Sequence, residues 1–450
     1  MLHFGTDGVR GLAIDELTPE LVRDLVRAVV RVLQPSAVVV GRDTRESGPA
    51  LERAVVDGCA AEAVPVHLLG VVPTPAVAFA AERHDWVGIA ITASHNPWRD
   101  NGIKVFNAGG AKLVDSEQIE IEREWHSIVT EVAPVSLGTV HDARSIVDEY
   151  VAHRVGVVGA DGLAGMTVVL DCAQGAMCDV APRAFREAGA TVIVLNDAPT
   201  GRNINESCGA TSPGPMARRV VDEGADFGVA FDGDGDRLTC ATSTGQLVDG
   251  DGIMAIAAGD LVRRGLLRHK GVAVTVMTNL GFHRAMKEMD VDVVVTPVGD
   301  RNVLTALEEY DYVLGGEQSG HVVHRAHSTT GDGLLAGLIL GEHLARNRTT
   351  LDRAASILVK YPQVLVNVRT DLRVADPAAD LESDIRRVGE ELGDDSRVLV
   401  RASGTEPLVR IMVEASDESR ALAAARALAE SLVSMHGGRV EGALGTASEQ

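Results

Sequence analysis

The chain has 450 residues, 45% of them hydrophobic and 24% charged, a balance that excludes a disordered protein and fits a globular one. That length exceeds one ordinary core, so three or four domains are expected. A net charge of −22 argues against nucleic acid or an anionic membrane as partner, and it requires any anionic substrate to be drawn in by a locally basic pocket.

The N-terminus, MLHFGTDGVRG, has no charged region followed by an apolar one, so no secretory signal is read there. No uninterrupted apolar stretch reaches the ~18 residues of a membrane helix. The five cysteines show neither a CxxC pair nor zinc-ligand spacing and read as free thiols of a reducing compartment. The expected location is cytoplasmic.

In chain order, one plan occurs three times: a β-branched run, a loop of small or polar residues, an amphipathic helix and a second apolar strand. Ala37–Val40 leads through GRDTRESG and a helix near Pro49–Ala63 to Val64–Leu69. Met166–Leu170 leads through DCAQGA and a helix around Val180–Ala188 to Ala190–Leu195. Val272–Val276 leads through TNLG and a helix near Phe282–Glu288 to Val291–Thr296. Short strands alternating with helices predict α/β layers.

The pattern changes near Pro362. Strands are predicted at Val364–Val368, Val398–Arg401 and Leu408–Val413, with helices over Ala375–Leu392 and Glu418–Met435 and a loose tail after Gly437. The fold class is therefore α/β: three similar α/β domains with mixed, mostly parallel sheets, then a C-terminal α+β domain, around a central cleft. The expected domains are 1–150, 151–249, 250–362 and 363–450.

Ser94 follows the apolar run Trp86–Ile91 and precedes His95, Asn96 and Pro97. That places it in a loop at a strand's carboxyl end, where α/β sheets hold their ligands. A serine in an ordinary turn is the plain alternative, but Asn101, Gly102 and Lys104 follow directly and bring a cation to the same loop.

The segment FDGDGDR carries Asp232, Asp234 and Asp236, with Gly233 and Gly235 allowing alternate carboxylates to face one point. Such hard oxygen donors suit magnesium. A calcium EF-hand loop is excluded, because Arg237 and Ser243 stand where it needs glycine and glutamate. A solvated acidic turn is the remaining alternative, although three like charges this close need a counter-ion.

Further along, RASGTEPLVR offers Arg401 and Arg410, the hydroxyls of Ser403 and Thr405, and Gly404 for close backbone approach, a set suited to a phosphate dianion. Near the start, GTDGVRG places Arg10 in a glycine-rich turn. GGEQSGH gathers Glu317, Ser319 and His321, a composition suited to sugar hydroxyls.

FGTDGVRG, ITASHNP with NGIK, FDGDGDR, GGEQSGH and RASGTEPLVR occur in an order that closely resembles the α-D-phosphohexomutase superfamily, over essentially the whole chain. FGTDGVRG, NINESCGAT (Asn203–Thr211) and VGDRNV (Val298–Val303) look most like its members acting on glucosamine phosphate. The chain departs from that pattern in two places. TASHNP is commoner in the mannose and glucose enzymes, and Ala402 stands where proline is frequent.

The resemblance implies an intramolecular phosphotransferase that interconverts 6- and 1-phosphates of a hexosamine or hexose. In this reading Ser94 is carried as phosphoserine, with Mg2+ held by it and by Asp232, Asp234 and Asp236. Lys104 is the implied general acid/base, with His95 in support, and Arg10 and Arg237 stabilise the moving charge. Glu317, Ser319 and His321 hold the ring, and Arg401, Ser403, Gly404, Thr405 and Arg410 hold the other phosphate. Arg301 lines the cleft, and the last domain closes over the sugar. The implied partner is a sugar phosphate, with the protein a monomer or homodimer. A sugar-phosphate sensor and a phosphatase are the alternatives from other classes.

Overall fold

The computed structural model describes residues 2–5, 8–128, 139–403 and 407–445. The chain forms two compact units, Met1–Met277 with Met289–Ile357, and Thr278–Glu288 with Leu358–Gln450.

The first unit contains three mixed sheets. One orders its strands as Phe4–Gly5, Gly8–Leu12, Asp100–Phe106, Val87–Ile91, Val38–Arg42, Val66–Val71 and Val140–Asp142. Val38–Arg42 (VVVGR) and Val87–Ile91 (VGIAI) run parallel at its centre and read as continuous apolar runs because both of their faces are covered. Val38, Val40, Ile89 and Ile91 pack with the helices Pro19–Leu33 and Gly48–Ala61 in one core. Successive strand residues alternate faces, so Gly41 and Gly88 face the other way. There, Val77 of the helix Thr74–His84 lies so close that a Cβ on Gly41 would fall 2.6 Å from it.

The second sheet runs Leu247–Val248, Leu238–Thr242, Phe227–Phe231, Thr167–Asp171 and Thr191–Leu195. The third runs Asp292–Thr296, Gly271–Thr275, Leu314–Gly316 and Val322–His324. Phe227–Phe231 pairs in parallel with Thr167–Asp171 and antiparallel with Leu238–Thr242. The aspartate segment is the turn of that antiparallel pair.

The second unit is built on a four-stranded antiparallel sheet in the order Arg397–Ala402, Leu408–Glu414, Gln363–Arg369, Arg439–Gly445. Gln363–Arg369 alternates strictly between buried and half-buried residues, and Val364, Val366 and Val368 pack with Ala425, Leu428 and Leu432 of the helix Glu418–His436. The helix Leu280–Glu288 also belongs to this unit, although it was expected with its flanking strands. The Leu280 N–H donates to Glu414 Oε1 at 3.1 Å, and Asn279 Nδ2 donates to Tyr361 O at 2.9 Å.

Two expectations are corrected here. The helix expected over 375–392 is two helices, Pro377–Asp380 and Glu382–Leu392, with Leu381 buried at the break. The Asp376 carboxylate accepts the Ala379 N–H at 3.1 Å, which starts a new helix at Pro377. The tail expected to be loose after Gly437 instead forms Arg439–Gly445, an added strand on the open edge of Gln363–Arg369. Gly437 and Gly438, at φ 70° and 100°, make the reversal, and a Cβ on Gly438 would lie 2.0 Å from Arg369 O.

Among the described residues no helix is long and apolar enough to cross a membrane, and all five cysteines are free thiols.

Candidate active site

Ser94 lies in the loop between Val87–Ile91 and Asp100–Phe106, at the carboxyl end of a central strand, and is buried. Its φ is 53°, in the left-handed region that side chains rarely adopt. The Ser94 N–H donates to Thr92 Oγ1 at 2.9 Å, and the Ser94 hydroxyl donates to Asp232 Oδ2 at 2.6 Å. The two segments, 138 positions apart, therefore meet.

Asp232, Asp234 and Asp236 each bring an oxygen within 4.8 Å of the others, and all three are buried. Lys104 Nζ donates to Asp234 Oδ2 at 2.8 Å and Asp236 Oδ2 at 3.0 Å. Thr74 Oγ1 donates to Asp234 Oδ2 at 2.6 Å. Lys104 reaches the triad from the strand Asp100–Phe106, clamped between Gly8–Leu12 and Val87–Ile91. Gly8 is required on the neighbouring strand, since at φ 94° a Cβ there would sit 2.2 Å from Ile103 O.

Asp234 Oδ1 and Asp236 Oδ1 are buried without a hydrogen bond. Buried carboxylate oxygens left bare beside a third carboxylate are the donor set of a hard divalent cation, so these residues fit such an ion. Charge is distributed unevenly among them. Burial, then the charges of Asp234 and Asp236, push the Asp232 carboxyl well above the usual range. Burial also opposes ionisation of Asp236, yet Lys104, His321 and Arg237 hold it well below that range.

His95 places Nδ1 3.4 Å from Ser94 Oγ. Burial, followed by the cations Arg237 and Arg10, lowers its imidazole to about 4, so it is neutral near pH 7. The Arg237 N–H donates to Asp232 Oδ1 at 3.1 Å. His321 is buried between Asp236 and Asp300, at 3.8 and 3.9 Å, and its Nε2 accepts the Gly331 N–H at 3.1 Å.

Arg10, Arg237 and Glu317 line a cavity of about 400 Å³ together with His3, Gly299 and Asp300. Its lining mixes two arginines with two carboxylates, Glu317 and Asp300. Glu317 Oε1 accepts the Gly299 N–H at 3.0 Å, and Ser319 is exposed, with Oγ 3.5 Å from Glu317 Oε2. Arg301 is absent from that lining. Its guanidinium pairs with Asp115 and lies 3.5 Å from Gly5 O, beside a narrow recess shared with Lys104 and Lys112.

In the second unit, Arg401 and Arg410 stand directly opposite each other on antiparallel strands. Like charges so placed repel, and burial together with Arg410 lowers the proton affinity of Arg401. The Ser403 N–H donates to Leu408 O at 2.7 Å. Gly404 and Thr405 lie outside the described residues.

Sequence reasoning missed Thr74, the pair Asp43–Arg45, Asn205, and Lys112, which pairs with Asp300. Asp43 and Arg45 lie in GRDTRESG just after the strand Val38–Arg42, and charged residues in so short a loop at a parallel strand's carboxyl end were a usable signal. Thr74 offered none, since it acts through an isolated contact 160 positions away, whereas Asn205 stood inside the quoted NINESCGAT, whose tie to Ser94 O, 111 positions away, the motif alone does not show.

Family models for phosphoglucomutase/phosphomannomutase match in order along the chain: alpha/beta/alpha domain I at residues 1–131, domain II at 148–245, domain III at 249–361 and the C-terminal domain at 365–431. A phosphoglucosamine mutase of Frankia casuarinae is 48% identical over 442 residues, covering 95% of this chain and 97% of that protein. One from Thermobifida fusca is 46% identical, covering 95% and 97%. The crystal structure of a phosphoglucomutase/phosphomannomutase family protein from Burkholderia thailandensis superposes with a TM-score of 0.81 at 25% identity, covering 97% of this chain and 98% of that one.

Proposed function

This chain belongs to the phosphoglucomutase/phosphomannomutase family, and from that premise we propose that Ser94 carries the phosphoryl group by which it interconverts glucosamine 6-phosphate and glucosamine 1-phosphate. The enzyme is an isomerase, a phosphohexomutase. Relatives 46–48% identical over 95% of the chain bear the name phosphoglucosamine mutase, which supports glucosamine over mannose or glucose as the sugar.

The observation that carries the reading is the 2.6 Å contact of the Ser94 hydroxyl with Asp232 inside a buried triad of carboxylates. A divalent cation, magnesium by the oxygen-only donor set, would be held by Asp232, Asp234 and Asp236 and would neutralise phosphoryl oxygens during transfer.

This chain's residues do the rest. A sugar hydroxyl attacks the phosphorus on Ser94; the new O–P bond forms as the bond to Ser94 Oγ breaks, leaving a bisphosphorylated sugar. The sugar then turns, and its other phosphoryl group returns to Ser94. The proton lost by the attacking hydroxyl goes to Lys104 Nζ and comes back in the second half. Nζ lies 2.8 Å from Asp234 Oδ2 and 3.0 Å from Asp236 Oδ2, and it must enter the first half as the neutral amine to take up that proton.

Neutral His95, its Nδ1 3.4 Å from Ser94 Oγ, donates its N–H to that oxygen as the bond to phosphorus breaks. Arg10 and Arg237, on the cavity wall, balance charge as it leaves serine. Glu317, Ser319 and His321 are read as holders of the ring, and Arg401, Ser403, Gly404, Thr405 and Arg410 as holders of the phosphate that is not reacting.

Ser94→Ala tests this. Turnover of glucosamine 6-phosphate should fall by at least ~10³-fold with the circular dichroism unchanged. Intact mass of the unmodified protein should show a phosphorylated fraction that disappears with excess sugar phosphate. Near-normal mutase activity in Ser94→Ala would rule out the serine carrier, and release of free phosphate without isomer would make the protein a phosphatase.

A further inference from the structure

Arg45 is buried, and its guanidinium is saturated. Nε donates to Asp43 Oδ2 at 2.8 Å. Nη2 donates to Ser94 O at 2.9 Å and Asn96 O at 2.8 Å, and Nη1 donates to Asp100 O at 2.9 Å and to Pro97 O. A guanidinium has five N–H donors, and four of them reach main-chain carbonyls within residues 94–100.

A buried cation is costly unless paired and fully bonded. Asp43 supplies the opposite charge, and Thr92 Oγ1 holds its carboxylate at 2.7 Å. Thr92 Oγ1 also accepts the Ser94 N–H. The serine is thus gripped on both sides, by its carbonyl and by its amide.

A second arm reaches the same carbonyls. Asn205 Nδ2 donates to Ser94 O at 2.9 Å and Asn96 O at 3.2 Å. The Asn205 N–H donates to Ala173 O at 2.9 Å, and three residues on, the Ala176 N–H donates to Gly233 O at 2.8 Å. The loop 173–176 therefore ties the serine loop and the aspartate turn to one frame. Contact there is tight enough that a Cβ on Gly233 would lie 2.7 Å from Ser94 O.

Ser94 needs such a frame. A left-handed φ is disfavoured at a residue with a side chain, so the conformation persists only where surrounding bonds impose it.

We propose that Arg45, with Asn205 as its second arm, is a positioning residue for phosphoryl transfer: by gathering the carbonyls of residues 94, 96, 97 and 100 it holds Ser94 Oγ against the aspartate triad. It touches neither substrate nor the reacting atoms. The inference rests on Ser94 as the phosphoryl carrier. Its leverage is geometric, because a misplacement of about 1 Å can cost roughly 10²-fold in rate.

The test compares Arg45→Lys, Asn205→Ala and Val29→Ala, the last a core truncation in the helix Pro19–Leu33. Lysine keeps the charge beside Asp43 but has three donors and no planar fork. For each variant, kcat and KM with glucosamine 6-phosphate, Tm, and the rate of phosphoryl loss from Ser94 by intact mass are measured. Arg45→Lys should lower kcat and the transfer rate about 10- to 100-fold, with KM within about three-fold. Asn205→Ala should do the same to a smaller degree, and Val29→Ala should lower Tm alone.

Arg45→Lys with kcat within about two-fold of normal overturns the proposal, as does an equal kcat loss in Val29→Ala at a matched fall in Tm. Should Arg45→Lys not fold, Asn205→Ala decides on the same terms. Ser94→Ala keeps the two readings apart. If that variant is inactive while Arg45→Lys is fully active, only the positioning role is lost; if it is active, the carrier itself is wrong.

Discussion

Asp232 illustrates a conflict between stability and chemistry within one side chain. Its carboxyl is disfavoured as an anion by burial and by two like-charged neighbours, so the metal-free protein is strained at this point. Asp232→Asn removes that charge and should raise the melting temperature of the metal-free protein while removing mutase activity. A lower Tm for this variant in chelator would contradict the account.

His324 gives a residue-scale prediction on pH. It is buried, and burial followed by His327 lowers its imidazole from the usual 6.5 to about 4. The unfolded chain therefore binds more protons between pH 6.5 and 4, and stability is lost as pH falls through that window. Replacing it by glutamine removes this contribution. The stability of the unmodified protein minus that of His324→Gln should fall between pH 7 and 4, and a flat difference in urea melts would refute the shift.

At the scale of elements, the site depends on how closely two strands approach. Gly8→Ala places a carbon 2.2 Å from Ile103 O on the strand that carries Lys104. The expected cost is roughly 1–3 kcal/mol, as for forcing atoms into filled space, with activity reduced because Lys104 and Arg10 move with their strands. A variant with unchanged Tm and rate would show that the contact relaxes freely.

Legibility in the sequence follows the range of the interactions. Ser94 and the aspartate triad announce themselves because residues a few positions apart already define the chemistry, and the central strands do so because runs such as VVVGR need two covered faces. Arg45 is hidden since its partners are main-chain carbonyls, which any sequence supplies. Arg439–Gly445 is hidden too: its glycines and charges read as a tail, and only the open edge of Gln363–Arg369 makes it a strand. The break at Leu381 was missed because a buried leucine fits a helix as well as a junction, although Asp376-Pro377 marked a start.

At the scale of the whole molecule, cation binding should register as stability. A ligand that binds only the folded state, at a hundred times its dissociation constant, adds ~2.7 kcal/mol. Magnesium should therefore raise the melting temperature of the unmodified protein and leave that of Asp234→Asn nearly unchanged. Equal shifts in both would place the ion elsewhere. Chelation should silence turnover, with recovery on adding the metal back.

Residues Thr278–Glu288 complete a unit whose remaining residues begin at Leu358. During synthesis, this eleven-residue stretch leaves the ribosome long before the sheet that receives it exists. The unit's assembly must therefore await the last strand, leaving Leu280 without its Glu414 acceptor in the meantime. A recombinant piece starting at residue 358 would be born with a gap where that helix belongs, and should gain solubility when a 278–288 peptide is supplied in trans.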